Sequence, residues 1–204
     1  MAEEKYDVVI AGAGLAGFAA AAEAGEQGLK TLLVEKGKTT GGTGNYVEGV
    51  FAADSTLQQK DNSVLDKEEL LKEELTYSHY KADGKMWQKY IDQAGTNVSW
   101  LEDHGAKIAM VAGLGDGAKT WHLFEGKGHD AIHNGLEPYA KEKGVEIKTL
   151  TRVTNLQKAK SGSFEVTLTN VEDNTDTVVK AKNVVLGSGI AGVVYKNKVE
   201  IINL

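Results

Sequence analysis

The chain has 204 residues, with 23 Lys and Arg against 29 Asp and Glu and a net charge of −6. That length supports one large domain with a sizeable core, and the acidic balance, with Lys scattered among acids, excludes a general nucleic-acid binder. Cysteine is absent, which excludes disulfide scaffolds, thiol nucleophiles, cysteine zinc sites and iron–sulfur ligation, so any redox chemistry needs a bound cofactor.

Tyr6 to Ile10 reads as a short buried strand, and Leu15 to Gln27, mostly Ala, as a helix ending at Gly28. A second buried strand, Thr31 to Glu35, follows. Strand, glycine turn, helix and strand in this order form a βαβ unit, whose right-handed crossover makes the strands parallel. Residues 36 to 64 are rich in Gly, Thr, Asn and Ser and read as loop with one short helix. Asp66 with Glu69 resembles a capping box and starts a helix running to about Ala82, and Lys85 to Ala94 and Asn97 to His104 read as two short helices. Gly105 to Gly126 reads as irregular. Lys127 to Lys143 returns to helical spacing, with Pro138 expected to start or kink a segment. Val145 to Val153 reads as one strand, Phe164 to Asn170 and Thr177 to Ala181 as a hairpin, and Asn183 to Leu186 as a last buried strand. The fold class is therefore α/β and Rossmann-like, a parallel sheet with flanking helices and a small antiparallel β-meander. No apolar run reaches the roughly 18 residues of a membrane span and no leader pattern opens the chain, so a cytoplasmic protein is expected.

Gly12, Gly14 and Gly17 give G-x-G-x-x-G between the first strand and the first helix. The three glycines serve a tight turn, close approach of backbone to a pyrophosphate, and close helix-on-strand packing, with the anion at the helix N-terminus formed by Leu15 and Ala16. Glu35 ends the second strand where an acid accepts hydrogen bonds from ribose hydroxyls. Its charge would repel a 2′-phosphate, so FAD or NAD is favoured over NADP, and the neighbouring Lys36 does not reverse this.

The next stretch, "EKGKTTGGTGNYVEG", brings Gly41 and Gly42 and then Thr43, Gly44 and Asn45. It resembles the extended FAD fingerprint of the fumarate reductase and succinate dehydrogenase flavoprotein family. The resemblance continues through "EGVFAADSTLQQ", "WLEDHGAKI", "GKGHDAIHNGLEPYAKEKGVEI" and "VKAKNVVLGSGIAG". It implies that the double-glycine loop passes near the flavin side of FAD and that Val153 makes a main-chain contact to adenine. It also implies that Gly187, Ser188 and Gly189 stand in the place of the family's Ala-Thr-Gly-Gly turn, from which they depart in sequence. The implied cofactor is FAD. No histidine lies between Gly41 and Ala53, so the flavin is expected to be non-covalent.

The family inserts a capping domain after that turn, which carries an arginine proton donor and the groups that grip a dicarboxylate. This sequence ends near the turn, so a capping domain or partner chain is expected to be missing. Arg152 is the only arginine, and it lies beside the implied adenine contact. No catalytic residue is assigned, and fumarate reduction by this chain alone is not expected. The expected organisation is an FAD-binding domain over 1–189, with a helical insertion over about 57–125, and a tail over 190–204 that matches nothing in the family. A non-catalytic nucleotide-binding module and an NAD-binding domain stand as alternatives. His129 and His133, four apart on a helix, read as packing residues with no metal assigned; His104 and His122 read as surface or packing residues, and Trp87, Trp100 and Trp121 as core.

Overall fold

The computed structural model describes residues 4–113 and 117–189, and the expectation for the tail at 190–204 lies outside them. In chain order the first elements are β1 (Lys5–Ala11), α1 (Leu15–Glu26), β2 (Thr31–Val34), a 3₁₀ turn (Gly42–Tyr46) and β3 (Gly49–Phe51). There follow α2 (Thr56–Lys60), α3 (Lys67–Tyr77), α4 (Gly84–Asp103), β4 (Ile108–Ala112), β5 (Trp121–Phe124) and α5 (Lys127–Asp130). A π-helical turn (Ala131–Leu136) leads to α6 (Glu137–Glu142), then β6 (Glu146–Lys148), β7 (Thr151–Lys158), β8 (Phe164–Asn170) and β9 (Asp176–Leu186). These elements form two compact units, one of Met1–Asn45 with Leu136–Leu204 and one of Tyr46–Gly135.

The first unit holds a six-stranded sheet in the order β6-β2-β1-β9-β8-β7. β6, β2, β1 and β9 run parallel, and β8 and β7 add on as an antiparallel meander. Helix α1 forms because a run of Ala carries little side-chain entropy cost. Its face of Gly17, Phe18, Ala21, Ala22, Ala24 and Gly25 is buried. Small side chains let the chain at the end of α6 approach closely: a Cβ on Gly25 would lie 2.9 Å from both Lys143 Cβ and Val145 Cγ2. Tyr6, Val9, Leu32, Phe164, Val166 and Val179 are among the residues that fill the core of the sheet.

Three strands differ from the sequence reading. The run at Val145–Val153 is two strands, β6 and β7, broken where Leu150 adopts a φ of 49°. Conversely, the hairpin arm and the last strand are one continuous β9. It pairs with β8 up to Ala181 and with β1 from Lys180 to Leu186. Its end is not buried as expected: Val185 and Leu186 are 37% and 66% exposed, because among the described residues only β1 flanks that stretch.

The second unit has an antiparallel sheet in the order β3-β5-β4 with α2, α3 and α4. Strands β4 and β5 lie within the segment expected to be an irregular or helical insertion. The two short helices expected at 85–104 are one helix of 20 residues. Gly95 lies inside α4 without ending it. A side chain there would run into the carbonyl oxygens of Asp54 and Ala53, so the glycine permits close approach of the helix to that loop. Asp66 and Asp83 cap α3 and α4 through backbone N–H groups of the first turn. The three tryptophans, expected in the core, are each half-buried. Pro138 stands at the start of α6, directly after the π turn, where its missing N–H leaves no ordinary helical bond to make.

Candidate cofactor site

The crossover from β1 to α1 is drawn tight by glycines. Gly12 has a φ of +99°, and a Cβ there would lie 2.7 Å from the Gly187 oxygen. A Cβ on Gly17 would overlap the Gly12 carbonyl oxygen outright. Both glycines are therefore required by the fold itself. Gly14 is different: its backbone is extended, with φ −85° and ψ −171°, and a Cβ would meet only the Gly41 oxygen at 3.7 Å, an ordinary contact. Nothing within the described chain requires glycine at that position. The space beside it is open for a group that needs close backbone approach, as a pyrophosphate does.

Gly14 is the N-cap of α1, and no side chain caps the helix. Its first turn holds no acidic residue, so no side chain of that turn offers an acceptor to the first N–H groups of the helix, which have no intrahelical acceptor either. The positive end of a twelve-residue helix dipole favours an anion there. The second glycine loop closes one side. Gly41 N–H donates to the Ala13 oxygen at 2.7 Å, and Gly14 and Gly41 form a parallel bridge. Gly41 and Gly42 take φ values of 94° and 50°. The Asn45 carboxamide fills the space where a Gly41 side chain would stand, and Asn45 Nδ2 donates to the Thr40 oxygen at 3.3 Å. Gly44 is buried in the 3₁₀ turn, whereas Gly42 and Thr43 are exposed.

Glu35 immediately follows β2. Its Oε2 accepts the Ala13 N–H at 3.0 Å and its Oε1 the Gly37 N–H at 2.8 Å, so the acid holds the first glycine turn from below. Each carboxylate oxygen can accept more than one hydrogen bond, which leaves capacity for hydroxyl donors. Beside it opens a groove of about 270 Å³ at the carboxyl ends of β1, β2 and β9, the place where open parallel sheets bind ligands. Gly12, Glu35, Lys36, Arg152, Val153 and Ser188 are among its lining residues. Gly187 anchors the far wall by donating its N–H to the Ala11 oxygen at 2.8 Å, and Gly189 has a φ of +65°.

The structure thus gathers Gly12, Glu35, Lys36, Val153 and Ser188 around one groove, and Gly14 to Gly17 with Gly41 around the helix end. Thr43, Gly44 and Asn45 serve the loop behind. Sequence reasoning missed Thr151, which lines the groove and donates its N–H to the Glu35 main-chain carbonyl oxygen at 2.8 Å. Hydrophobic period gives no signal for that contact, because the strand break at Leu150 is invisible to it.

The histidines lie elsewhere. His122 is fully buried, with Nε2 2.6 Å from Ser55 Oγ and Nδ1 3.2 Å from the Thr120 oxygen. Ser55 and Gln58 form a capping box at the start of α2, so this serine–histidine pair is enclosed in a structural network with no access for a substrate. Burial holds the His122 imidazole below its ordinary range. The His129 and His133 rings stand 4.6 Å apart, and among the described residues no three His, Cys, Asp or Glu side chains gather to hold a metal ion. No helix among them is long and apolar enough to cross a membrane.

Residues 7–201 match the FAD binding domain family. The chain is 40% identical over 187 residues to a vinyl phenol reductase of Lactiplantibacillus plantarum, covering 91% of this chain and 38% of that protein. It is 27% identical to an NADH:fumarate oxidoreductase of Klebsiella pneumoniae, covering 92% of this chain and 21% of that one. The open form of a flavocytochrome c3 fumarate reductase superposes with a TM-score of 0.78 at 25% identity, covering 90% of this chain and 33% of that one. The chain therefore spans less than two fifths of the length of these relatives. A match along nearly the whole chain and the relatives it brings agree: this chain belongs to the FAD binding domain family of fumarate-reductase-like flavoproteins, and its cofactor is FAD.

Proposed function

We propose that the chain holds FAD non-covalently by its ADP portion, as the cofactor-binding part of a flavin-dependent reductase acting on a carbon–carbon double bond. The open space beside Gly14 at the uncapped end of α1 carries this reading, because the fold gives no other reason for glycine there. In it the α1 N-terminus and the Gly41–Gly42 loop receive the diphosphate, Glu35 accepts the ribose hydroxyls, and the wall of Arg152 and Val153 receives the adenine. FAD supplies hydride-transfer chemistry when bound, while the residues of this chain bind it and orient it. The double-bond class comes from the relatives, whose names specify a vinyl phenol and fumarate as substrates. Arg152 is the only arginine, and it lines the groove assigned to the adenine, so this reading gives it no part in gripping a substrate carboxylate. A cytoplasmic location belongs to the same reading and rests on the sequence.

The test is to titrate the purified chain with FAD, following flavin fluorescence and absorbance, and to identify by chromatography any nucleotide released on denaturation. Saturable FAD binding, or released FAD, supports the assignment. A chain that releases NAD, or that neither releases nor binds FAD, refutes it.

A further inference from the structure

The second glycine loop is fixed from two sides. One attachment is the bond from Gly41 N–H to Ala13, already described. The other comes from α6: the Thr40 hydroxyl, on a residue only 8% exposed, donates to Glu137 Oε2 at 2.8 Å. Glu137 Oε1 in turn accepts from Lys141 Nζ at 2.7 Å, one helical turn on, which aims the carboxylate. Helix α6 packs on α1, and its C-cap Lys143 comes close to Gly25. Thr40, Gly41, Ala13, α1, α6 and Glu137 thus form a closed circuit of contacts, and the N-terminus of α1 lies inside it.

We infer that Glu137 is a positioning residue for the cofactor diphosphate: by holding Thr40 it sets the distance between the Gly41 loop and the α1 N-terminus. The inference rests on the FAD reading above. Glu137 touches no cofactor atom in this account. It acts through Thr40 on the loop whose Gly41 oxygen stands beside Gly14. A hydrogen bond that spans 97 residues of sequence and joins a half-buried helix carboxylate to a buried loop hydroxyl is a costly arrangement for a loop with no geometry to keep.

The experiment compares FAD, ADP and adenosine binding to the full chain and to Thr40→Val, Thr40→Ser and Glu137→Ala, with a melting curve for each. Thr40→Val and Glu137→Ala should weaken FAD and ADP roughly fivefold, the effect of one hydrogen bond of ordinary strength, and leave adenosine unchanged. Thr40→Ser keeps the hydroxyl and should bind as the parent does. A purely structural clasp would lower the melting temperature of the variants and leave the ADP-to-adenosine ratio untouched. That result overturns the inference, as does an equal loss for adenosine and ADP. Should Thr40→Val fail to fold, Glu137→Ala breaks the same bond from the half-buried first turn of α6, and Thr40→Ser beside it decides the matter. A parent chain that binds neither FAD nor ADP would instead overturn the cofactor reading itself.

Discussion

A methyl group added at Gly17 would collide with the Gly12 carbonyl, whereas one added at Gly14 would meet nothing closer than 3.7 Å. The two positions should therefore separate folding from binding. Gly17→Ala forces strand and helix apart and should cost about 1–3 kcal/mol of stability, as overpacking does. Gly14→Ala should change ligand-free stability by less than about 1 kcal/mol, the scale of an N-cap exchange, and weaken FAD binding at least about tenfold. Urea melts without ligand and FAD titrations read the two effects, and equal losses of stability in both variants would remove the distinction. His122 gives a pH dependence. Because burial holds its folded pKa below the ordinary 6.5, the unfolded chain takes up the proton first, so stability falls as pH drops below that value toward the folded pKa. Melting temperatures taken from about pH 7 to about pH 5 should decline more steeply in the parent than in His122→Gln. Parallel slopes would show that the imidazole titrates equally in both states.

At the scale of elements, α4 makes the sharpest case. Gly95 followed by Thr96 reads locally as a break between helices, since Gly costs about 1 kcal/mol against Ala in a helix. Yet Gly95→Ala should destabilise the protein despite the better helix propensity, because its methyl would press on the Asp54 and Ala53 carbonyls. A raised melting temperature would mean that the loop yields. The same locality explains what was legible. The β1–α1–β2 unit could be read because its period, its glycines and its acid all lie within one stretch of chain. β9 could not be read whole, since Lys182 and Asn183 interrupt an apolar run at the point where one partner strand ends and another continues. β4 and β5 carry no clean alternation, and Met110 in β4 is 55% exposed. In the site, the glycines and Glu35 announce themselves by spacing. Glu137 does not, since a glutamate in the first turn of a short helix is an unremarkable charge until the fold brings Thr40 to it.

On the scale of the molecule, the proposed site residues, the α1 N-terminus, the Gly41 loop, Glu35 and the wall of Arg152 and Val153, would all meet the ADP end of the cofactor. ADP should therefore displace FAD almost as well as unlabelled FAD does, and FAD at about a hundred times its Kd should add roughly 2.7 kcal/mol to stability. Displacement that needs more than about tenfold excess of ADP over FAD would show that the flavin portion carries a larger share than the groove suggests. The order of the chain has a further consequence. Lys5 pairs with Lys180 across the centre of the main sheet, and residues 46–135, which form a unit of their own, are synthesised between the two. On the ribosome, β1 and β2 emerge with their apolar faces and one central edge uncovered, and they must wait for the whole 46–135 unit and the strands after it before β9 arrives. Local contacts close sooner than distant ones, so the 46–135 unit should acquire protection from hydrogen exchange first. Until β9 arrives, the uncovered edge of β1 is open to pairing with other chains, so premature release of the nascent chain should favour aggregation through that edge.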